Sequence, residues 1–392
     1  MTMKSICAVE GVSASGIKDG KFGLALIKAS GTAAAVFTKN IVAAEPVRLM
    51  KERMGAGALD GIIVNSGNAN VYTGAQGFVD AEEMTQMAAE VFGTIPERVG
   101  VASTGVIGRF LDMEIIRTQC KKIGTDLRCD ETAEDDAMRA IMTTDLAPKH
   151  ALVEAETFSV GGITKGSGMI APNMGTMLAF IYTDAEVSAA DLQRHLTVAV
   201  ERSFNRVVVD GDTSTNDCVF LTATGKQGVP DPETFTSALE EVCISLAKQI
   251  AADGEGATKL LEVRVTGAAS EDDAALVAKT VVGSSLVKTA VYGEDPNWGR
   301  IIGAAGRAGV SFDPAQASVY IVSGDTRCAL EERGRILADD VVGPEVLKEA
   351  ASLMSGDTVT FEVDLGVGNA MATAWGCDLT ENYIDINGRY TT

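Results

Sequence analysis

The residues best able to do chemistry lie in one glycine-dense run, Gly161-Gly162-Ile163-Thr164-Lys165-Gly166-Ser167-Gly168-Met169-Ile170-Ala171-Pro172-Asn173-Met174-Gly175-Thr176-Met177-Leu178-Ala179-Phe180. A loop of this composition delivers a small hydroxyl residue, Thr176, to the start of an apolar strand. A Gly-Thr bond at such a junction suits self-cleavage. The Thr176 hydroxyl attacks the Gly175 carbonyl, an N-to-O acyl shift gives an ester, and water releases a new N-terminal threonine. Gly175 has no Cβ to obstruct the attack. The freed α-amine, with an ordinary pKa of about 7.7–8.0, then serves as general base for its own hydroxyl. Such chemistry needs no histidine, and the chain has only two, His150 and His195. Read for structure alone, the same run is a tight loop entering a buried strand.

The other reactive patterns are weaker. Gly166 to Ala171 fits G-x-G-x-x-A, but Pro172 follows at once, where a dinucleotide fold needs a continuing helix. No P-loop, H-E-x-x-H or G-x-S-x-G string occurs. Ser15-Gly16-Ile17-Lys18 matches S-x-x-K, which is short enough to arise by chance without its partner motifs. His195 falls in an amphipathic helix and His150 in a loop after Pro148-Lys149, neither beside a nucleophile at a recognisable spacing, so both read as packing imidazoles. The run Asp210 to Asp217 holds three carboxylates but lacks the Gly and Glu positions of an EF-hand loop. It reads as a structural polar loop, and no metal is expected. Seven cysteines, at 7, 120, 129, 218, 243, 328 and 377, form no CxxC pair and suit reduced thiols.

The elements that must position these residues are mixed α/β. Apolar β-rich runs recur at 23–28, 33–38, 61–65, 99–103, 177–183 and 207–210, with helical spacing at 79–92 and 112–123. Ser188 reads as an N-cap, and Asp231-Pro232 opens a further helix. Strands at 261–266, 318–322 and 359–364 follow, with a helix over 344–354. A length of 392 residues implies one large or two closely packed domains. The net charge of −21, with no basic cluster, argues against nucleic acid and against an anionic membrane surface. No run of about 18 apolar residues and no signal-type h-region is present, so a soluble cytoplasmic protein is expected. Residues 1–175 hold 17 basic and 21 acidic side chains, whereas 176–392 hold 16 and 33, so fragments divided at Gly175/Thr176 would differ sharply in charge.

The segment K-G-S-G-M-I-A-P-N-M-G-T-M-L resembles the autoprocessing motif of the ornithine acetyltransferase (glutamate N-acetyltransferase) family of arginine biosynthesis. The likeness runs along nearly the whole chain. It passes through Ala35 to Asn40, Val64 to Asn70, Ser103 to Gly108, Met142 to Asp145, Ser203 to Arg206, Val209 to Asp217, Gly293 to Arg300 and Asn387 to Thr392. The family most often has Ala before the nucleophile, where this chain has Gly175, and the stretch before Gly16 is short.

The resemblance implies a two-domain α/β sandwich working by an N-terminal-nucleophile-like mechanism. It divides the chain into an alpha chain, 1–175, and a beta chain, 176–392, that stay associated, commonly as a dimer of heterodimers. Thr176 is then both cleavage residue and acetyl acceptor, and Thr104 with Gly105 forms the oxyanion hole. Lys165, Thr143 or Thr144, Glu294, Asn387 and Thr392 contact the substrates. Taken alone, Ser103-Thr104-Gly105 reads as a strand-ending turn, Lys165 as a surface lysine and Glu294 as an exposed turn acid. The implied reaction moves acetyl from N2-acetylornithine to glutamate without a cofactor, with acetyl-CoA as a second donor in bifunctional members. Two other readings stay open on the sequence: a self-processing aminopeptidase or amidohydrolase, and a non-catalytic small-molecule binding relative.

Overall fold

Apolar runs early in the chain build one mixed sheet. β1 (Ser13–Asp19) turns back antiparallel onto β2 (Phe22–Phe37), which is followed by β3 (Ala58–Asn68) and, parallel to it, β4 (Val99–Val106). β5 (Lys149–Glu154), β6 (Ser159–Lys165) and β7 (Leu178–Thr183) form the other side. After the two-residue β8 (Val207–Val208), which belongs to a second sheet, β9 (Cys218–Ala223) lies between β2 and β7. The order is β4-β3-β2-β9-β7-β6-β5, with β1 also on β2. β7 and β9 are buried at every position, as their continuous apolar sequences require of central strands covered on both faces. Phe180 and Phe220 stack with centroids 6.1 Å apart, at the middle of that pair.

This computed structural model describes residues 5–171 and 177–388. The chain forms two compact units, one of residues 1–205 and 212–246, the other of 206–211 and 247–392. Helices α1 (Glu45–Arg53), α2 (Gly74–Phe92), α3 (Met113–Ile123), α4 (Glu131–Ile141) and α5 (Ala189–Arg202) belong to the first unit, as does α6 (Pro232–Ala252) up to Leu246. Several start as their sequences direct: Asp112, Asp130, Ser188 and Asp231 each accept a hydrogen bond from a first-turn amide. α4 lies on the β1–β2 hairpin at a distance only glycine permits. A Cβ on Gly16 would stand 2.3 Å from the Asp136 carbonyl oxygen, and one on Gly23 2.1 Å from that of Ala140.

The second unit has its own sheet, from β10 (Leu260–Ala268), β11 (Ser318–Ser323), β12 (Thr326–Glu332), β13 (Arg335–Ile336), β14 (Thr358–Asp364) and β15 (Ala370–Cys377). Its order is β13-β12-β11-β14-β10-β15-β8. α7 (Glu271–Val282) buries Ala274, Val277, Ala278 and Val281 against β10 and β15, a single helical stripe. α8 (Ser285–Tyr292), α9 (Trp298–Gly306), α10 (Pro344–Leu353) and α11 (Glu381–Asn387) complete it. Among the described residues no single helix is long and apolar enough to cross a membrane.

Three expectations change. The runs at 23–28 and 33–38 are one strand, β2, with a register shift between Lys28 and Gly31. β1 pairs with its first half and β9 with its second, while β3 follows it from Gly23 past the irregularity to Thr32. The run at 207–210 keeps only the two residues of β8. His150 lies in β5, opposite Ile163, and not in a loop. His195 is packed as expected, edge-on to Phe235 with Nδ1 2.8 Å from the Thr236 hydroxyl. The division at 175/176 concerns a covalent bond and falls within the first unit.

Candidate active site

Thr104 and Gly105 sit at the end of β4, where the parallel register places Ser66 beside Thr104 and Gly67 beside Gly105. Gly105 has φ +129°, and a Cβ there would stand 2.3 Å from the Gly67 carbonyl carbon, so no other residue fits. Lys165 closes β6 and is 8% exposed, far from the surface lysine its sequence alone suggests. Its ammonium donates to Thr143 Oγ1 at 2.7 Å and to Thr104 Oγ1 at 3.3 Å. Both hydroxyl oxygens act as acceptors, which leaves each O–H proton to be donated elsewhere. A hydroxyl polarised by a cation is a stronger donor to a developing oxyanion. Of the adjacent threonine pair, Thr143 is the one that takes the Lys165 bond.

The loop after α4 is held by Asp145, a residue within a quoted motif to which the sequence assigned no role. Its carboxylate is fully buried. Oδ1 accepts from Lys149 Nζ at 2.7 Å and from the Gly166 amide at 2.6 Å, and Oδ2 accepts from the Thr143 amide at 3.0 Å. Lys165 Nζ lies 3.8 Å from Oδ2. Burial pushes this carboxyl up, but the Lys165 and Lys149 charges and the Thr143 amide outweigh it and hold the pKa well below the carboxylate range. One buried carboxylate thus balances two ammonium groups, leaving positive charge at Lys165 suited to a substrate carboxylate.

Lys18 is the second residue the sequence missed, because S-x-x-K was set aside as chance. Its ammonium donates to Met142 O at 2.6 Å and to Ser66 Oγ at 2.7 Å, and Ser66 in turn donates to Ala140 O at 2.6 Å. The close seating of α4 on the hairpin brings these groups together. Burial, then the charge of Lys165, pushes the Lys18 pKa down to about 8. A lowered lysine pKa means the folded state loses its proton first. The resulting penalty is present below pH 8 and is relieved as pH rises towards the ordinary 10.5. Urea unfolding across that window should show wild type gaining stability relative to Lys18→Met; parallel curves would mean that the ammonium is well solvated.

Glu294 and Asn387 belong to the second unit. Glu294 has φ +54° and is half-exposed, with Oε1 3.0 Å from Lys259 Nζ. Asn387 ends α11 and donates to Glu255 Oε2 at 2.8 Å. Gly175, Thr176 and Thr392 lie outside the described residues. The structure therefore brings Thr104, Thr143 and Lys165 into hydrogen-bonding contact within one unit.

A profile of the ArgJ family matches residues 9–392. The chain belongs to the ArgJ family. Among ArgJ-family relatives, a Methanosarcina mazei protein named glutamate N-acetyltransferase is 50% identical over 394 residues, covering 99% of this chain and 98% of its own length. An Archaeoglobus fulgidus protein named arginine biosynthesis bifunctional protein ArgJ is 45% identical over 387 residues, covering 99% of this chain and 100% of its own. The crystal structure of arginine biosynthesis bifunctional protein ArgJ from Bacillus halodurans is 44% identical with a TM-score of 0.50, over 54% of this chain and 99% of that one. That crystallised ArgJ chain is accordingly just over half as long as this one.

Proposed function

We propose that this ArgJ-family chain transfers the acetyl group of N2-acetylornithine to glutamate, after dividing itself between Gly175 and Thr176. The observation that carries the reading is the convergence of Thr104, Thr143 and Asp145 on the Lys165 ammonium, at the end of the strand leading into the Thr176 loop. The Thr176 hydroxyl attacks the acetyl carbonyl carbon while its own α-amine takes the hydroxyl proton. The Thr104 hydroxyl and the Gly105 amide receive the oxyanion. As the tetrahedral intermediate collapses, the C–N bond breaks and the proton passes to the departing ornithine amine. The glutamate amine then attacks the acetyl ester, the bond from the acetyl carbon to Thr176 Oγ1 breaks, and that oxygen takes up the proton the amine gives up. Lys165 holds the α-carboxylate that ornithine and glutamate share, with Thr143 beside it. For Glu294, Asn387 and Thr392 the assignment as substrate ligands rests on family correspondence alone.

The division into chains 1–175 and 176–392 is supported by topology. β6 and β7 flank the bond as antiparallel neighbours, Lys165 paired with Leu178, so both strands keep their partners after cleavage. The half-length Bacillus halodurans chain also suits a beta chain of 217 of the 392 residues. The cleaved halves remain together as a heterodimer, and two heterodimers associate. The reaction needs no cofactor, acetyl-CoA being a second donor in bifunctional relatives, and it takes place in the cytoplasm.

Purified protein given glutamate with N2-acetylornithine should release ornithine and N-acetylglutamate together. Replacing N2-acetylornithine by acetyl-CoA in a parallel reaction tells bifunctional from monofunctional activity. Thr104→Val should lower kcat by about 10²–10³, the usual effect of losing one oxyanion donor. Acetate release without any glutamate dependence would instead favour the hydrolase reading.

A further inference from the structure

The polar run at 209–217 has no part in the reaction as described, yet its second half touches several parts of the site within the first unit. Asn216 is 6% exposed. Its Nδ2 donates to the carbonyls of Ser103, at 2.8 Å, and Ala69, at 2.5 Å, while Oδ1 accepts from the Thr215 hydroxyl at 2.7 Å. The hydroxyl on one side and two carbonyls on the other fix which end of the amide donates. Ser103 immediately precedes the oxyanion donors Thr104 and Gly105.

The loop and the first residue of β9, which follows it, hold both flanks of the nucleophile segment. On one side Ala171 donates its amide to Asp212 O at 3.0 Å and accepts from Thr213 Oγ1 at 2.8 Å, and Ile170 bridges to Thr213. On the other, the Met177 carbonyl accepts from the Cys218 amide at 3.1 Å. The loop is itself clamped by the 38–44 segment. Thr38 bonds to Ser214 O and Asp217 O, Asn40 to Thr213 O and Ala44 to Thr215 O, at 2.8–3.0 Å.

Resting on the threonine reading above, we infer that Thr213 and Asn216 are positioning residues. They tie Ile170 and Ala171, which precede the Thr176 segment, and Ser103, which precedes the Thr104–Gly105 donors, to one loop. A nucleophile and its oxyanion donors must be matched closely, because a displacement of about 1 Å costs on the order of 10²-fold in rate. Neither side chain takes or gives a proton in the reaction; each acts through backbone carbonyls.

The test follows formation of the 217-residue fragment in freshly made full-length chain, alongside kcat and KM of the processed enzyme. Thr213→Val should slow cleavage by at least about tenfold, and Thr213→Ser, which keeps the hydroxyl, should stay within about twofold of wild type. Asn216→Leu should lower kcat, counted per mole of folded enzyme from the urea-unfolding amplitude, by about 10²-fold with KM for N2-acetylornithine nearly unchanged, whereas loss of folded protein alone would leave that kcat at the wild-type value. If Asn216→Leu does not fold, the Thr213 pair decides the matter. Wild-type cleavage in Thr213→Val, equal slowing in Thr213→Ser, or a rise in KM with kcat intact in Asn216→Leu would overturn the inference. A wild-type chain that never divides would instead remove the threonine reading on which it rests.

Discussion

Thr176→Ala is expected to remain one 392-residue chain and to lose acetyl transfer, by on the order of 10⁶ in kcat, the scale seen when an acyl-transfer enzyme loses its hydroxyl nucleophile. Both losses have one cause in the proposed mechanism, where the same oxygen attacks the Gly175 carbonyl and later accepts acetyl. Thr176→Ser separates the two roles from mere bulk: it should still divide and still transfer, because a serine hydroxyl supplies the same nucleophile and the same freed amine. Gel analysis reads the first outcome and ornithine release the second. An alanine variant that divides normally would place the scissile bond elsewhere.

Asp145→Asn is expected to cost about 3–5 kcal/mol of stability, because it removes the shared counter-charge of two largely buried ammonium groups. Lys149 is 2% exposed, with Nζ 2.7 Å from the carboxylate, and Lys165 lies 3.8 Å away. The sign of the pH dependence follows from the lowered pKa. The contribution of Asp145 is complete above the ordinary 3.8 and is lost as pH falls below it towards the depressed value. Pairing the change with Lys149→Met should restore much of the stability, since it removes the strongest unbalanced charge, but not the activity. The Thr143 and Gly166 amides bond to different oxygens, and an asparagine keeps only one acceptor for the two. Denaturant unfolding of the single and double variants checks this, and a single variant as stable as wild type would show that the lysines do not depend on Asp145.

Part of the first unit was legible in the sequence where its signals are local. The N-caps at Ser188 and Asp231 and the buried run of β7 each depend on a few neighbouring residues. What could not be read is set by contacts distant in sequence. The continuity of β2 depends on β9, about 190 residues later. Lys18 looked like a chance motif because its partners, Ser66 and Met142, are brought to it only by the seating of α4 on Gly16 and Gly23. Asp145 stood in plain view beside the threonine pair, but nothing local tells a buried carboxylate flanked by two ammonium groups from a loop acid. The role of Lys165 came from resemblance alone; its burial beside Thr104 and Thr143 depends on contacts between residues far apart in the chain.

Transfer through Thr176 requires an acetyl ester on the chain, and intact mass reads that ester. Incubation with N2-acetylornithine and no glutamate should add the mass of one acetyl group to the 217-residue fragment only, on its N-terminal residue, and addition of glutamate should remove it as N-acetylglutamate. A full-length chain that transfers acetyl without dividing, or a fragment that turns over without ever carrying the acetyl group, would contradict it.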